Sequence, residues 1–325
     1  MKHALLQDTD HWENRQGCGG RKGTRARGRE GAIVTSGPRA LVPFRYAMIS
    51  RMKHQQISSD HRHLLAIAEA AVRAGERASL PYFNASHLSS SFKAHREIVT
   101  KGDLASNHAV MSVLKKKTPT IPVCSEEGGD ITKEQLTRTN LAWVLDPIDG
   151  TSNFSARLPL WGISLALVVD GEPLIGVIAL PSLKQRYHAV RGNGAWMGTQ
   201  RLSISQTKTL SDAVAFMCYG YRNEEQRRGI RIINTFAPRV QTARRLGAAV
   251  IEAAWVATGH ADISILDGVR PWDVAAGALL VREAGGDVKT FSGREWTIAD
   301  PDIIFTAPKL TASVVKILKS AAVRG

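Results

Sequence analysis

The sequence predicts a mixed α/β chain of the α+β kind, and three observations carry that prediction. Apolar residues recur at helical spacing between His63 and Leu80, where positions three and four apart share one face. Between Trp161 and Ser205 the pattern changes to short apolar runs joined by Asp-Gly and Asn-Gly turns, which reads as antiparallel strands. From about Ser211 strand-like and helix-like stretches alternate, implying a second sheet with helices of its own. A chain of 325 residues with 43% hydrophobic content is enough for one large or two intimately packed domains.

The net charge of +14 is unevenly spread. Residues 1 to 53 hold 11 Lys/Arg against 4 Asp/Glu, half of the excess in a sixth of the chain. This segment, with Gly17-Cys18-Gly19-Gly20-Arg21-Lys22-Gly23 and Arg25-Ala26-Arg27-Gly28-Arg29, has no hydrophobic period, so residues 1–55 are expected to form a disordered basic extension. Two readings compete for it. One is an arm for RNA or an anionic surface; the other, favoured, is a tail without function, upstream sequence if translation begins at Met48 or Met52. The rest divides into an N-terminal α+β half, 56–207, and a C-terminal α/β half, 208–325. No stretch approaches the roughly 20 apolar residues needed to cross a bilayer, and Cys18, Cys124 and Cys218 are too scattered for a disulfide framework or a Cys-x-x-Cys site. A soluble protein of the reducing cytoplasm is expected.

In chain order, Ser58, Ser59 and Asp60 are cap residues for a first helix, whose apolar positions Leu64, Leu65, Ile67, Ala68, Ala71 and Val72 lead to a stop at Pro81. His61 and His63, two apart, are expected at the surface. A second helix is predicted from about Leu104 to Lys116, and a short strand from Ile121 before the Glu126-Glu127-Gly128-Gly129 turn. The hairpin follows, hinged at Asp170-Gly171, then a turn at Asn193-Gly194 and a strand from Arg201 to Ser205. Arginines 222, 227, 228, 231, 239, 244 and 245 read by default as a solvated face, with a partner or acidic-substrate surface the second reading. Small residues after Arg245 open a helix ending at Gly259, and Arg270-Pro271-Trp272-Asp273 opens another that continues to Glu283 and stops at Gly285-Gly286. Strands near Val288 and Ile303 and a helix from Leu310 complete the chain.

The stretch Trp143-Val-Leu-Asp-Pro-Ile-Asp-Gly-Thr-Ser-Asn-Phe154 carries the chemistry. An apolar strand empties into Asp146 and Asp149, and two carboxylates so close are costly unless a cation neutralises them. Oxygen-only donors, including a free carbonyl, suit Mg2+ or Mn2+ rather than zinc. Gly150 and Thr151 then offer N–H groups to an anion at a helix start. Singly, each aspartate is equally an ordinary cap or turn residue. Asp273, behind Pro271, is by itself likewise a helix cap.

Together these strings resemble the two signatures of the inositol monophosphatase family of Mg2+-dependent phosphatases. Nine consecutive positions from Asp146 to Phe154 match the first, and Trp272-Asp273, about 125 residues on, the second. Val99-Thr100-x-x-Asp103, Glu126-Glu127 and the Arg245-Leu246-Gly247-Ala248 region add weaker likenesses. The resemblance covers about residues 58 to 320. It implies a layered αβαβα sandwich of the sugar-phosphatase type and a homodimer. It implies that Glu126, Asp146, the carbonyl of Ile148, Asp149 and Asp273 hold two or three Mg2+ ions, with Mn2+ an alternative. By the same resemblance Asp103, Glu126 and Thr151 position the attacking water, and Asp149, Gly150, Thr151 and Asp273 bind substrate. The activity implied is hydrolysis of a small phosphate monoester by water, without a covalent intermediate.

Inositol 1-phosphate is the family's substrate, yet the position seven before Asp273, a glutamate in inositol-specific members, is Leu266 here, with Asp267 beside it. Either Asp267 substitutes after a small backbone shift or the pocket takes another ester: histidinol phosphate, a sugar phosphate such as fructose 1,6-bisphosphate, or a 3'(2'),5'-bisphosphate nucleotide. The non-enzymatic alternative is a transcription or ribosome-assembly partner. The expected partner is a small phosphorylated substrate, with neither nucleic acid nor membrane.

Overall fold

A computed structural model describes residues 59–85, 90–92 and 98–323; the basic extension 1–55 lies outside the described residues. Helix α1 (Ser59–Asn84) buries Ile67, Ala68, Ala71 and Val72, the stripe its spacing predicts. It does not stop at Pro81, which sits inside its last turn, where the ring sacrifices one hydrogen bond near a terminus rather than breaking a helix interior. His61 is buried, not at the surface, while His63 is exposed. Burial holds the His61 imidazole below its usual pKa. Strand β1 (Ser90–Phe92) pairs antiparallel with β2 (Ile98–Thr100). Helix α2 (Lys101–Lys117) begins three residues before the expected Leu104, because Thr100 and Asp103 form a reciprocal capping box.

The larger sheet is built from β3 (Val123–Ser125), β4 (Leu141–Asp149), β5 (Gly162–Val169), β6 (Glu172–Leu180), β7 (Gln185–Val190), β8 (Ala195–Met197) and β9 (Gln200–Arg201), adjacent in that order. Two short helices, α3 (Lys133–Leu136) and α4 (Thr151–Ser155), flank β4. Only β3 and β4 run parallel; the other neighbours are antiparallel. The β5–β6 hinge has Asp170 at φ 51° and Gly171 at φ 78°, two successive left-handed residues whose twist suits a tight hairpin. The expected strand from Arg201 to Ser205 is shorter. Leu202 and Ile204 leave the sheet for the core, and the Ile204 N–H donates to the Ala284 carbonyl instead of a strand.

The second sheet uses β10 (Val214–Tyr219), β11 (Thr242–Arg244), β12 (Ile263–Asp267), β13 (Asp287–Lys289) and β14 (Asp302–Thr306), in the order β11-β10-β12-β14-β13. Its helices are α5 (Asn223–Phe236), α6 (Ala249–Ala257), α7 (Pro271–Glu283) and α8 (Thr311–Val323). Side-chain alternation fixes the layers, since adjacent strand residues face opposite ways. Ile163 of β5 approaches Gly75 of α1, whereas Ser164 turns its hydroxyl to the Trp272 carbonyl of α7. Phe216 of β10 meets Trp255 of α6, while Tyr219, on the other face, lies against Gly229 of α5. Helices α1 and α2 therefore cover one sheet, α6 and α7 lie between the two, and α5 and α8 pack together beyond the second. This is a layered αβαβα arrangement. Small residues let the central layer close: a Cβ on Gly277 of α7 would stand 2.6 Å from the Ala253 Cβ of α6.

Candidate active site

Strand β4 delivers its two aspartates through a bulge. Asp146 pairs with Ser164 and Asp149 with Gly162, so one extra residue is inserted between them. Pro147, which has no N–H to give a ladder, sits in that insertion. The bulge turns both carboxylates toward one cavity of about 270 Å3, which is also lined by Glu126, Ile148, Gly150, Thr151 and Asp273. Gly150 ends the strand at φ 84°, and a Cβ there would meet the Ala248 Cβ and the Leu160 carbonyl oxygen at 3.0 Å. Conformation and space both require glycine. Helix α4 begins as expected but has five residues, so its N–H groups rather than a long helix dipole are what it offers an anion.

Backbone N–H groups aim each aspartate, and Gly150 N–H also lowers the pKa of the Asp149 carboxylate. Ile148 N–H donates to Asp146 Oδ1 at 3.0 Å, Val250 N–H to Asp149 Oδ2 at 2.7 Å, and Arg270 N–H to Asp273 Oδ2 at 2.7 Å. The last two bonds lie at the starts of α6 and α7, so two central helices are tied into the site. Asp103 does not line the cavity. It stands behind it, with Oδ2 accepting Thr100 N–H at 2.8 Å and Thr100 Oγ1–H at 2.5 Å. The Thr151 hydroxyl reaches Asp103 Oδ1 and the Ile148 carbonyl, both at 3.0 Å. Phe154, from the same short helix, is locked in a cluster with Phe83 and Trp161, its ring edge-on to Trp161 at 4.8 Å.

The charge balance of this cluster is unfavourable as it stands. Asp146 is 1% exposed, and its pKa is pushed well above the usual carboxylate range by burial first and then by Glu126, Asp149, Asp273 and Asp103. Burial also raises Asp149 to about 7 against the opposing Val250 N–H bond, with Glu126 and Glu252 pushing the same way. Burial raises Asp103 too, over the lowering effect of its threonine bonds. A cation would relieve this repulsion. Among the described residues, no three His, Cys, Asp or Glu side chains already enclose a metal position. The carboxylates converge on one cavity but their free oxygens do not close on a single point. In kind, the donors fit a hard divalent ion: carboxylate oxygens and a carbonyl, with no sulfur or imidazole among them.

Several neighbours were not singled out by sequence. Arg228, expected on a solvated face, forks onto Asp267, its Nη2 at 2.7 Å from Oδ1 and its Nε on Oδ2. Arg245, expected to be solvated likewise, lines the cavity with its guanidinium 4.2 Å from the Tyr219 ring centroid. Tyr221 Oη meets Ser152 Oγ at 3.1 Å. Glu252 is wholly buried on α6, one oxygen on Ser264 Oγ and the other without a partner. Only Thr100 had a local signal, the Thr-x-x-Asp capping pattern. Cys218 also lines the cavity.

A layered sandwich with this acidic cavity at its centre defines a class, and comparison with known proteins names it. The family model described as the inositol monophosphatase family matches residues 60–322, and the chain belongs to that family. A Thermotoga maritima protein named fructose-1,6-bisphosphatase/inositol-1-monophosphatase is 33% identical over 223 residues, 69% of this chain and 83% of that one. A Pasteurella multocida protein named Nus factor SuhB is 30% identical over 247 residues, 76% of this chain and 91% of its own. Among solved structures, the Thermotoga maritima IMPase superposes with a TM-score of 0.70 at 28% identity, covering 81% of this chain and 98% of that chain. Among the described residues, no helix is long and apolar enough to cross a membrane.

Proposed function

We propose that the protein is a Mg2+-dependent phosphatase that hydrolyses a small phosphate monoester in the cytoplasm as a homodimer. The observation that carries this reading is the gathering of Glu126, Asp146, Asp149 and Asp273 on one cavity rimmed by Gly150 and Thr151, with the Asp146 pKa raised first by burial and then by its acidic neighbours. Glu126, Asp146, the Ile148 carbonyl, Asp149 and Asp273 would hold the ions. Bound there, Mg2+ supplies the positive charge that neutralises these acids, polarises the phosphoryl group and acidifies water. Gly150 and Thr151 N–H groups orient the phosphate. The Thr151 hydroxyl, 3.0 Å from both Asp103 Oδ1 and the Ile148 carbonyl, gives its proton to Asp103 when its lone pairs face the attacking water. As that water attacks phosphorus, its proton passes to Thr151 Oγ1 and the threonine's own to Asp103. The ester oxygen leaves and takes its proton from solvent water, Asp103 returns its own to solvent, and no residue becomes phosphorylated.

Inositol 1-phosphate is the family's substrate and the first to test, with histidinol phosphate, fructose 1,6-bisphosphate and adenosine 3',5'-bisphosphate as alternatives. The assay is phosphate release from these four esters with and without Mg2+, comparing wild type with Asp146→Asn. Mg2+-dependent release that the substitution abolishes is expected. A folded protein that releases phosphate from none of them would sink the reading. The relative named as a Nus factor supports one second reading, a transcription partner. It predicts binding to nucleic acid or protein that weakens steeply with salt, and turnover would not share that slope.

A further inference from the structure

The end of the cavity away from the acidic cluster has its own chemistry. In place of a hydroxyl-accepting acid it presents Leu266, 1% exposed, and the neighbouring Asp267 cannot substitute because the Arg228 guanidinium occupies both its oxygens. Glu225, tucked against Gly220 and Gly268, gives Oε2 to the Arg222 N–H at 3.0 Å. Both oxygens of Asp267 and one of Glu225 are therefore committed to the protein, whereas the two arginines at this end are held only weakly. Arg245 makes one long bond, 3.4 Å, to the Tyr219 carbonyl, and Arg270 one of 3.3 Å to the Gly268 carbonyl. Among the described residues, no carboxylate lies within ion-pair distance of either guanidinium. The Arg245 guanidinium carbon lies 4.2 Å from the Tyr219 ring centroid, which holds this exposed side chain at the cavity it lines.

We infer that Arg245, assisted by Arg270, reads a second anionic group on the substrate, so that the preferred ester carries a phosphate or carboxylate in addition to the phosphate that is cleaved. This rests on the phosphatase reading above. A planar guanidinium donates paired hydrogen bonds to either anion, whereas the position of Leu266, packed into the core, offers a neutral polyol no acceptor. Charge-assisted bonds of this kind change affinity roughly tenfold to a hundredfold, and they should act mainly on KM because the second group lies away from the reacting phosphorus.

The test compares kcat/KM at saturating Mg2+ within two matched pairs: fructose 1,6-bisphosphate against fructose 1-phosphate, and 3-phosphoglycerate against glycerol 3-phosphate. The first pair adds a phosphate and the second a carboxylate, so the arms tell the two anions apart. We expect at least one doubly anionic ester to be preferred roughly tenfold or more. Arg245→Gln should collapse that preference through KM, Arg245→Lys should retain part of it, and Leu266→Glu should lower it further. Arg270→Gln provides a second, independent loss. Equal kcat/KM within both pairs, or a preference untouched by both arginine variants, overturns the inference while leaving the phosphatase reading intact. If no ester releases phosphate with Mg2+, both fall.

Discussion

Glu252→Gln probes the electrostatics of the central layer at a residue that is not itself proposed to bind metal or substrate, although its charge reaches Asp149 and Arg245. The side chain is wholly buried, with Ser264 Oγ at 2.8 Å from Oε2 and no partner on Oε1. Burial raises its pKa from 4.5 to about 8, against the lowering influence of Ser264, the Leu246 N–H and the more distant Arg245. The folded state therefore holds this proton more tightly than the unfolded state. The resulting stability is present in full below about pH 4.5 and is lost as pH rises toward about 8. A shift of that size corresponds to on the order of 4 kcal/mol. Glutamine keeps the shape and never ionises. Urea unfolding in EDTA at pH 5.5, 7 and 8.5 should show wild type losing stability with pH more steeply than the variant. The difference between the two should widen by about 3 kcal/mol over that range. Asp146 slopes the same way in both proteins and cancels, while Asp149 loses the upward push of Glu252 in the variant, so its own slope is shallower there and adds to the difference. Parallel pH profiles would refute a buried, proton-holding Glu252.

Other substitutions probe the site more directly. Gly150→Ala imposes a left-handed backbone on alanine and crowds Ala248 and Leu160. It should cost about 1–3 kcal/mol in urea unfolding and reduce phosphate release. Thr151→Val removes the hydroxyl that joins Asp103 to the Ile148 carbonyl. It should lower kcat roughly a hundredfold or more while the unfolding midpoint stays near wild type, and an unchanged kcat would remove Thr151 from the reaction. Thr100→Ala deletes the cap of α2 and one of the bonds that aim Asp103. The expected loss is about 1 kcal/mol of stability together with a reduced kcat, the latter restored in part by Thr100→Ser.

What the sequence made legible is what local patterns encode. The Asp170-Gly171 hairpin, the apolar stripe of α1 and the switch from hairpin strands to strand–helix alternation all follow from spacing and turn chemistry. The Asp146–Phe154 string was read as a strand running into a turn, and the structure supplies the reason its carboxylates converge: a bulge at Pro147. Partners far apart in sequence were not legible. The bonds of Asp149 to Val250, Arg228 to Asp267 and Ser164 to Trp272 span 101, 39 and 108 residues, and no periodicity links them. Arg228 and Arg245 were assigned to solvent for that reason, since an arginine's default is solvent until a buried acid or an aromatic face is placed beside it. The same holds for His61, whose helix face is set by packing rather than by its two-residue offset from His63. Pro81 misled because its cost depends on the turn it occupies.

The central claim is that the acids gathered by the β4 bulge and α7 hold divalent ions beside a phosphate. It is tested most directly by a crystal structure of the protein soaked in Mn2+ and inorganic phosphate, with anomalous data to locate the metal. The account predicts Mn2+ among Glu126, Asp146, the Ile148 carbonyl, Asp149 and Asp273, with phosphate against the Gly150 and Thr151 N–H groups. Ordered phosphate in the cavity without metal between these carboxylates, or Mn2+ bound only elsewhere, would contradict it.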